Sequence, residues 1–283
     1  MTVLEAIQKS TEFLAKKSVE SPRLQTELLL AHLLKMPRMK LYLNFDRVLL
    51  PAEIDSLREL IKRRGQREPL QHIVGSTSFC GYEIAVSRAA LIPRPETELL
   101  AELGWKFLST FNLQPSTALD FGTGTGCIAI ALAAKCPNAK ITALDVSPEA
   151  LALAKQNAEQ NQVAEQIAFL HGDGFAALTG GMQFDLLISN PPYIASAEIE
   201  TLDPEVRDFD PRLALDGGAD GLDFYRILAA EAKTFLKPDG KIMLEFGDGQ
   251  ADDMEKIFEG EKWIVEAVQE DYSQRARILT AKI

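Results

Sequence analysis

The sequence predicts an α/β fold in which a mostly parallel sheet, covered by helices on both faces, is preceded by a small helical domain. Two observations carry this. From residue 117 onward short apolar runs alternate with helical stretches, the order that builds parallel strands joined by crossover helices. Charge divides the chain as well: residues 1–75 hold 13 Lys and Arg against 9 Asp and Glu, a balance of +4, whereas residues 76–283 carry −15, for a total of −11.

The helical domain is expected over residues 1–72. In "SPRLQTELLLAHLLK" Ser21 stands as N-cap and Pro22 at the first helical position, with Leu24, Leu28, Ala31 and Leu34 along one inward face. "PAEIDSLRELIKRRG" repeats the pattern from Pro51, with Ile54, Leu57 and Ile61 facing in and Gly65 closing the helix. The basic residues Arg58, Lys62, Arg63, Arg64 and Arg67 read as a solvated helix face. In "HIVGSTSFCGYEIAVS" the pattern turns to alternation and glycine, which predicts a β-hairpin linker over residues 73–89 and a catalytic domain over 90–283. "LIPRPETELL" then starts a helix at Pro95, where Glu96 and Glu98 complement the positive end of the dipole. Helix-start chemistry does not account for Arg94, which either stays exposed or helps close the mouth of a site.

Strands are expected at "TALDFG", "AKITALDVS", "QIAFLHGD", "FDLLISN" and "KIMLEFG", and helices at "CIAIALAAK", "PEALALAKQNAEQN" and "GLDFYRILAAEAKTFL". Ligands of such sheets bind beyond the carboxyl ends of the strands. After the first strand comes "LDFGTGTGCIAIALA", whose Gly122, Gly124 and Gly126 allow a tight turn and close approach of backbone to a ligand at a helix N-terminus. Gly124, Gly126 and Ala129 also fit the dinucleotide fingerprint, and Asp145, ending the second strand, is placed to accept both ribose hydroxyls of an adenosine in either case. Asp120 ahead of three alternating glycines makes a D-x-G-x-G-x-G loop, which resembles the first motif of methyltransferases that bind S-adenosylmethionine. Asp173 follows the third strand.

The fourth strand ends in "NPPY". Pro191 and Pro192 have no N–H and cannot continue a ladder, so the strand must stop there. The Asn190 amide oxygen accepts a hydrogen bond, its own N–H groups stay free for a cofactor or a backbone acceptor, and the rigid turn lets a neighbouring carbonyl point the same way. Two acceptors aimed at one point grip an NH₂ group, and Tyr193 offers a flat face for a planar amide or base.

Other chemistries find little support. Cys80, Cys127 and Cys136 show no C-x-x-C spacing, the three histidines are far apart, and no metal site is expected. No apolar run approaches the roughly 20 residues that cross a bilayer, and the amphipathic start is unlike a signal peptide, so a cytoplasmic protein is expected.

Taken together, "EPLQHIVGSTSFCGYEI" (68–84), "LIPRPETELL" (91–100), "DFGTGTG" (120–126), "ISNPPYI" (188–194), "DPRLALDGGADGLDFYRIL" (210–228) and "IMLEFGDGQ" (242–250) resemble the bacterial release factor glutamine methyltransferases, protein-(glutamine-N5) methyltransferases. The resemblance implies a Rossmann-like domain that transfers methyl from S-adenosylmethionine to the side-chain amide of the Gln in the Gly-Gly-Gln loop of peptide-chain release factors, leaving S-adenosylhomocysteine. It implies cofactor binding by Gly122, Thr123, Gly124, Thr125, Gly126, Asp145, Asp173, Gly174 and Asn190. Substrate binding falls to Asn190, Pro191, Pro192 and Tyr193, with Asn190 and Tyr193 as catalytic residues. The helical domain, separately charged and far from the glycine loop in sequence, is expected to hold the release factor. Five positions depart from the family pattern: Gly174 replaces a bulky residue, Phe121 a smaller aliphatic, Phe209 and Asp210 of "FDPR" the Tyr and Glu of the usual "YEPR", and Ala276 an Asp before Arg277. Two other readings are an adenine-N6 methyltransferase acting on nucleic acid and a non-catalytic nucleotide-binding module. The −15 region lacks the basic track that phosphate neutralisation requires, so no stable nucleic-acid binding is expected. The acidic stretch 198–210 reads as a solvated loop over the site.

Overall fold

The computed structural model describes residues 1–111 and 115–283. The chain forms two compact units, Met1–Ser76 with Asp203–Phe209, and Thr77–Leu202 with Asp210–Ile283.

The first unit contains α1 (Val3–Lys16), α2 (Pro22–Leu33), α3 (Arg38–Tyr42), α4 (Pro51–Gly65) and α5 (Leu70–Val74). Thr2 and Glu5 make a capping box that starts α1, and Val3, Ile7, Leu14, Leu30, Leu57 and Ile61 belong to the core. Two expectations fail in α2. Ser21 lies in the left-handed region at φ 46° and its side chain caps nothing. The buried face includes Thr26, Glu27, Leu29, Leu30 and Ala31, while Leu24 is 39% exposed. Glu27 displaces the expected stripe because its charge is fully partnered: Arg23 and Arg38 each donate at 2.9 Å and the Tyr42 hydroxyl at 2.8 Å. Burial works against its ionised form, but these hydrogen bonds prevail and hold the carboxyl below its ordinary range.

The basic residues of α4 and its exit also depart from a solvated face. Arg58 and Lys62 are exposed, but the Arg64 side chain is only 4% exposed. Arg64 Nη2 donates to Glu205 at 2.7 Å, Arg67 Nε donates to the same carboxylate at 2.6 Å, and Arg63 pairs with Glu68. Glu205 lies on α9 (Pro204–Arg207), so the acidic stretch expected to be a solvated loop is partly a built element of the helical unit. Its complement sits 141 residues earlier in the chain, out of reach of any local charge pattern.

A hairpin of β1 (Ser76–Phe79) and β2 (Tyr82–Ala85) follows. Its two turn residues, Cys80 and Gly81, both have positive φ, as a two-residue hairpin turn matched to strand twist requires. The second unit then runs α6 (Thr97–Ser109), β3 (Thr117–Phe121), α7 (Cys127–Lys135), β4 (Lys140–Asp145), α8 (Pro148–Gln160), β5 (Ile167–His171) and β6 (Phe184–Ser189). After α9 it continues with α10 (Asp223–Glu231), β7 (Leu236–Glu245), α11 (Ala251–Gly260), β8 (Ile264–Glu270) and β9 (Ala276–Lys282). Sheet order is β5-β4-β3-β6-β7-β9-β8. The first five strands are parallel, and β9 inserts antiparallel between β7 and β8. One face packs Leu100, Leu132 and Ile188, the other Phe121, Leu187, Tyr225 and Phe258. α6 approaches β6 closely because Gly104 has no side chain: a Cβ there would lie 2.9 Å from Ile188 Cδ1 and 3.0 Å from Leu132 Cδ2. That approach brings the first turn of α6 to the end of β6.

Replacing Glu205 by Ala leaves the buried Arg64 guanidinium without its carboxylate. The expected loss is about 1–3 kcal/mol of unfolding free energy, below the roughly 3–5 kcal/mol of a fully buried pair because Glu205 and Arg67 keep some solvent contact. Urea titration should show a lower midpoint with an unchanged slope; a midpoint within error of the parent would mean that Arg64 finds water or another partner.

Candidate active site

All of the candidate loops lie at the carboxyl ends of β3, β4, β5 and β6. They line one cavity of about 410 Å³, within the size range of small-molecule sites.

The β3–α7 loop turns through Gly122, Gly124 and Gly126, at φ 73°, 56° and 80°. These are left-handed conformations that residues with a Cβ rarely adopt. Gly126 has a second constraint, since a Cβ there would lie 3.0 Å from Ala154 Cβ. It is the N-cap of α7, beneath the cavity, whereas Gly122, Thr123, Gly124 and Thr125 line it. Asp120 holds the loop from inside: its carboxylate accepts from the Thr123 hydroxyl at 2.6 Å and from Ala129 N–H at 3.1 Å. Its Oδ1 has no partner, and burial pushes the carboxyl up to about 7. Asp145 is set from both sides, accepting from Gly124 N–H at 2.8 Å and Ser147 N–H at 2.9 Å. Each oxygen retains a lone pair for a ligand hydroxyl.

Asp173 and Gly174 line the cavity after β5. Two of the departures from the family pattern meet here. A Cβ on Gly174 would lie 3.7 Å from Phe121 Cζ, and Phe121 also lines the cavity. The ring of Phe121 is held by Phe175 at 4.9 Å between centroids, and Phe175 stacks on Phe235 at 5.1 Å. The Phe121 ring and Gly174 thus form adjoining parts of one wall.

At the end of β6, Asn190, Pro191 and Pro192 line the cavity. The Asn190 amide is not free as the motif suggested. Its Nδ2 donates to the Thr97 hydroxyl at 3.1 Å, which leaves Oδ1 for the cavity. Tyr193 is absent from the lining; its ring belongs to the packing around Phe246, with its Cδ2 3.0 Å from where a Cβ on Gly247 would stand. The Tyr193 carbonyl accepts from Gln250 Nε2 at 3.0 Å. Arg94 lies at the mouth: it lines the cavity, and its Nη2 donates to the buried Asp210 at 2.6 Å. Pro211, Leu213 and Ala214, just after Asp210, also line the cavity.

Two residues that sequence reasoning did not single out complete the site. Thr97 is 3% exposed, and Glu245, at the end of β7, is 1% exposed. Burial pushes the Glu245 carboxyl up to about 7 against the hydrogen bonding of Thr97 and Asn190 and the charge of Arg277, and its Oε2 has no partner. The available signal was a lone carboxylate closing the apolar run "KIMLEF". Among the described residues no cluster of His, Cys, Asp and Glu could hold a metal ion, and no helix is long and apolar enough to cross a membrane.

Known proteins resemble both units of the chain. Residues 5–75 match the family model described as PrmC N-terminal domain, and residues 104–203 that described as methyltransferase small domain. A release factor glutamine methyltransferase of Geobacter sulfurreducens is 44% identical over 259 residues, 91% of this chain and 88% of that protein. One from Chlorobaculum tepidum is 40% identical, covering 99% and 96%. A solved methyltransferase from Pyrococcus furiosus shares the fold at TM-score 0.52 and 22% identity, over 72% of this chain and 90% of that one. The two relatives align along nearly the whole chain, both units included, and the chain belongs to the release factor glutamine methyltransferase family.

Proposed function

We propose that the protein methylates the side-chain amide nitrogen of the glutamine in the Gly-Gly-Gln loop of peptide-chain release factors, using S-adenosylmethionine. The observation that carries this reading is the Asn190 amide, whose nitrogen is taken by Thr97 and whose oxygen is left for a cavity shared with the glycine loop. The site suits the cofactor. Gly122 and Gly124 keep clear of side chains the space where a Cβ would stand, Asp145 presents acceptors for ribose hydroxyls, and Phe121 supplies an apolar face beside Asp173 for a planar base. When bound, S-adenosylmethionine supplies an electrophilic methyl group on a sulfonium.

The remaining work falls to the chain's own groups. An amide nitrogen is a poor nucleophile because its lone pair is delocalised into the carbonyl. As it attacks, positive charge develops on it and its protons become more acidic. Asn190 Oδ1 accepts one of those N–H groups. A neighbouring backbone carbonyl of the rigid proline turn provides the second acceptor; that of Tyr193 is already taken by Gln250 Nε2 at 3.0 Å. Acceptors fixed in advance favour the transition state over the ground state. The proline ring at 191 and the Arg94–Asp210 pair shape the walls that hold the amide plane and limit water. Tyr193 supports the turn from behind. The helical unit serves recognition of the protein substrate: Met39, Leu43, Val48 and Leu50 are 62–85% exposed within a short stretch of it, more apolar surface than a solvated loop needs. The nucleic-acid reading is the weaker one, because the region that carries the site is strongly acidic.

Three outcomes are expected. Phe121→Ala should weaken S-adenosylmethionine binding about tenfold in calorimetry, the equivalent of ~1.4 kcal/mol and typical of a lost aromatic contact; unchanged affinity would remove Phe121 from the cofactor wall. Asn190→Ala should lower single-turnover methylation of a Gly-Gly-Gln peptide by ~10²–10³, the usual worth of one preorganised polar group, with little change in cofactor affinity. Asn190→Asp should do no better than Ala, because it cannot donate to Thr97 and sets a second carboxylate beside buried Glu245; activity close to the parent would show that only the acceptor matters. Finally, Leu43→Ser combined with Leu50→Ser should raise KM for whole release factor several-fold while leaving the peptide unaffected, and equal effects on both substrates would deny this stretch a recognition role.

A further inference from the structure

On the functional reading above, Asn190 works only if its amide oxygen, and not its NH₂ group, faces the glutamine. An Asn side chain does not choose this by itself, since the two ends of the amide are nearly the same size and shape. We propose that Glu245 is a positioning residue for methyl transfer: through Thr97 it sets the direction of the Asn190 amide.

Three elements meet at this point. β6 and β7 are parallel, with Ser189 paired to Leu244, so Asn190 and Glu245 leave the two strands side by side, one residue beyond that pair. The first turn of α6, brought down by the close approach at Gly104, inserts Thr97 beside them. An ionised carboxylate can only accept hydrogen bonds. Thr97 and Asn190 are the side chains whose hydrogen bonding favours the charged form of Glu245, so the Thr97 hydroxyl is set to turn its single proton toward the carboxylate. Its oxygen is then left as an acceptor, and Asn190 Nδ2 is the donor that it receives, at 3.1 Å. The reversed amide would set Oδ1 against the Thr97 oxygen and the Glu245 carboxylate, with no proton between any of them. Such acceptor contacts are costly away from water. Direction thus passes from Glu245 to Thr97 to Asn190, and Oδ1 ends in the cavity.

The surroundings leave Glu245 few other duties. Arg277 of β9 faces it, but its guanidinium donates to the Phe246 carbonyl at 3.1 Å and to Asp271 at 3.4 Å. Tyr225 donates its hydroxyl to the Glu245 backbone carbonyl at 2.8 Å and not to the carboxylate. Glu96, before α6, adds a like charge, and the Tyr193 ring closes the same side. A carboxylate that is 1% exposed and retains an unpartnered oxygen is an expensive way to fill this space. A neutral Gln would fit the same volume, yet it lacks the one property the chain of bonds requires, which is to accept without donating.

Glu245→Gln and Thr97→Val test this. In the ligand-free protein, the Asn190 side-chain amide protons should exchange with solvent slowly in the parent and at least several-fold faster in either variant, as read by NMR. With a Gly-Gly-Gln peptide, kcat should fall about tenfold or more in each, with KM for S-adenosylmethionine within twofold of the parent. The double variant should be no worse than the poorer single one, because both break the same chain. The parent should also lose activity as pH falls through about 7, where a protonated Glu245 can donate to Thr97 and reverse the order, and Glu245→Gln should lack this acid limb. Unchanged amide exchange and kcat in Glu245→Gln, or losses that add in the double variant, would overturn the inference. If the parent methylates no glutamine at all, the functional reading fails on its own, while the exchange rates still decide how Asn190 is held.

Discussion

Everything at this site follows from how a parallel sheet ends. Where β3, β4, β5 and β6 stop along one edge, backbone groups lose their ladder partners together, and buried ones must find others. Gly122 and Thr123 N–H both turn back to the Leu144 carbonyl, Gly172 N–H bonds Asp145 O, and the Ser189 hydroxyl donates to Phe121 O at 2.5 Å. One of the side chains that complete this closure, Asp145, also lines the cavity. Asp145 fastens the glycine loop with the carboxylate that it also presents to the cavity. Cavity and strand ends are therefore one construction, and its loops are held by the chain's own hydrogen bonds.

Buried charges separate into two kinds. Glu27, Arg64 with Glu205, and Asp210 with Arg94 are partnered by opposite charges; they fix where helices and loops lie. Asp120 and Glu245 each retain an oxygen without a partner, and burial raises both to about 7. Both stand directly behind the cavity, one under the glycine loop and one behind Asn190. Structures tolerate such cost mainly where direction or chemistry depends on it.

The two aromatic and glycine departures at positions 121 and 174 make sense only as a pair. Read along the chain, Gly174 removes a wall and Phe121 crowds a loop. In space the tip of the ring lies 3.7 Å from where a Cβ on Gly174 would stand, supported by Phe175 and Phe235.

Much of the second unit was legible in the sequence, because its signals are local. The run of β3 to β7 shows as apolar segments of strand length, the glycine loop as positions that need positive φ, and the end of β6 as two prolines without N–H groups. The antiparallel insertion of β9, the partners of Arg64 and Glu205, the true buried face of α2 and the link from Glu245 through Thr97 to Asn190 were decided only by tertiary structure. Each joins polar or edge groups far apart in sequence, and a Glu or Arg that will be buried against a partner reads, along the chain, like one bound for water. Local backbone limits are written residue by residue, whereas the partner of a buried charge exists only once the chain has folded.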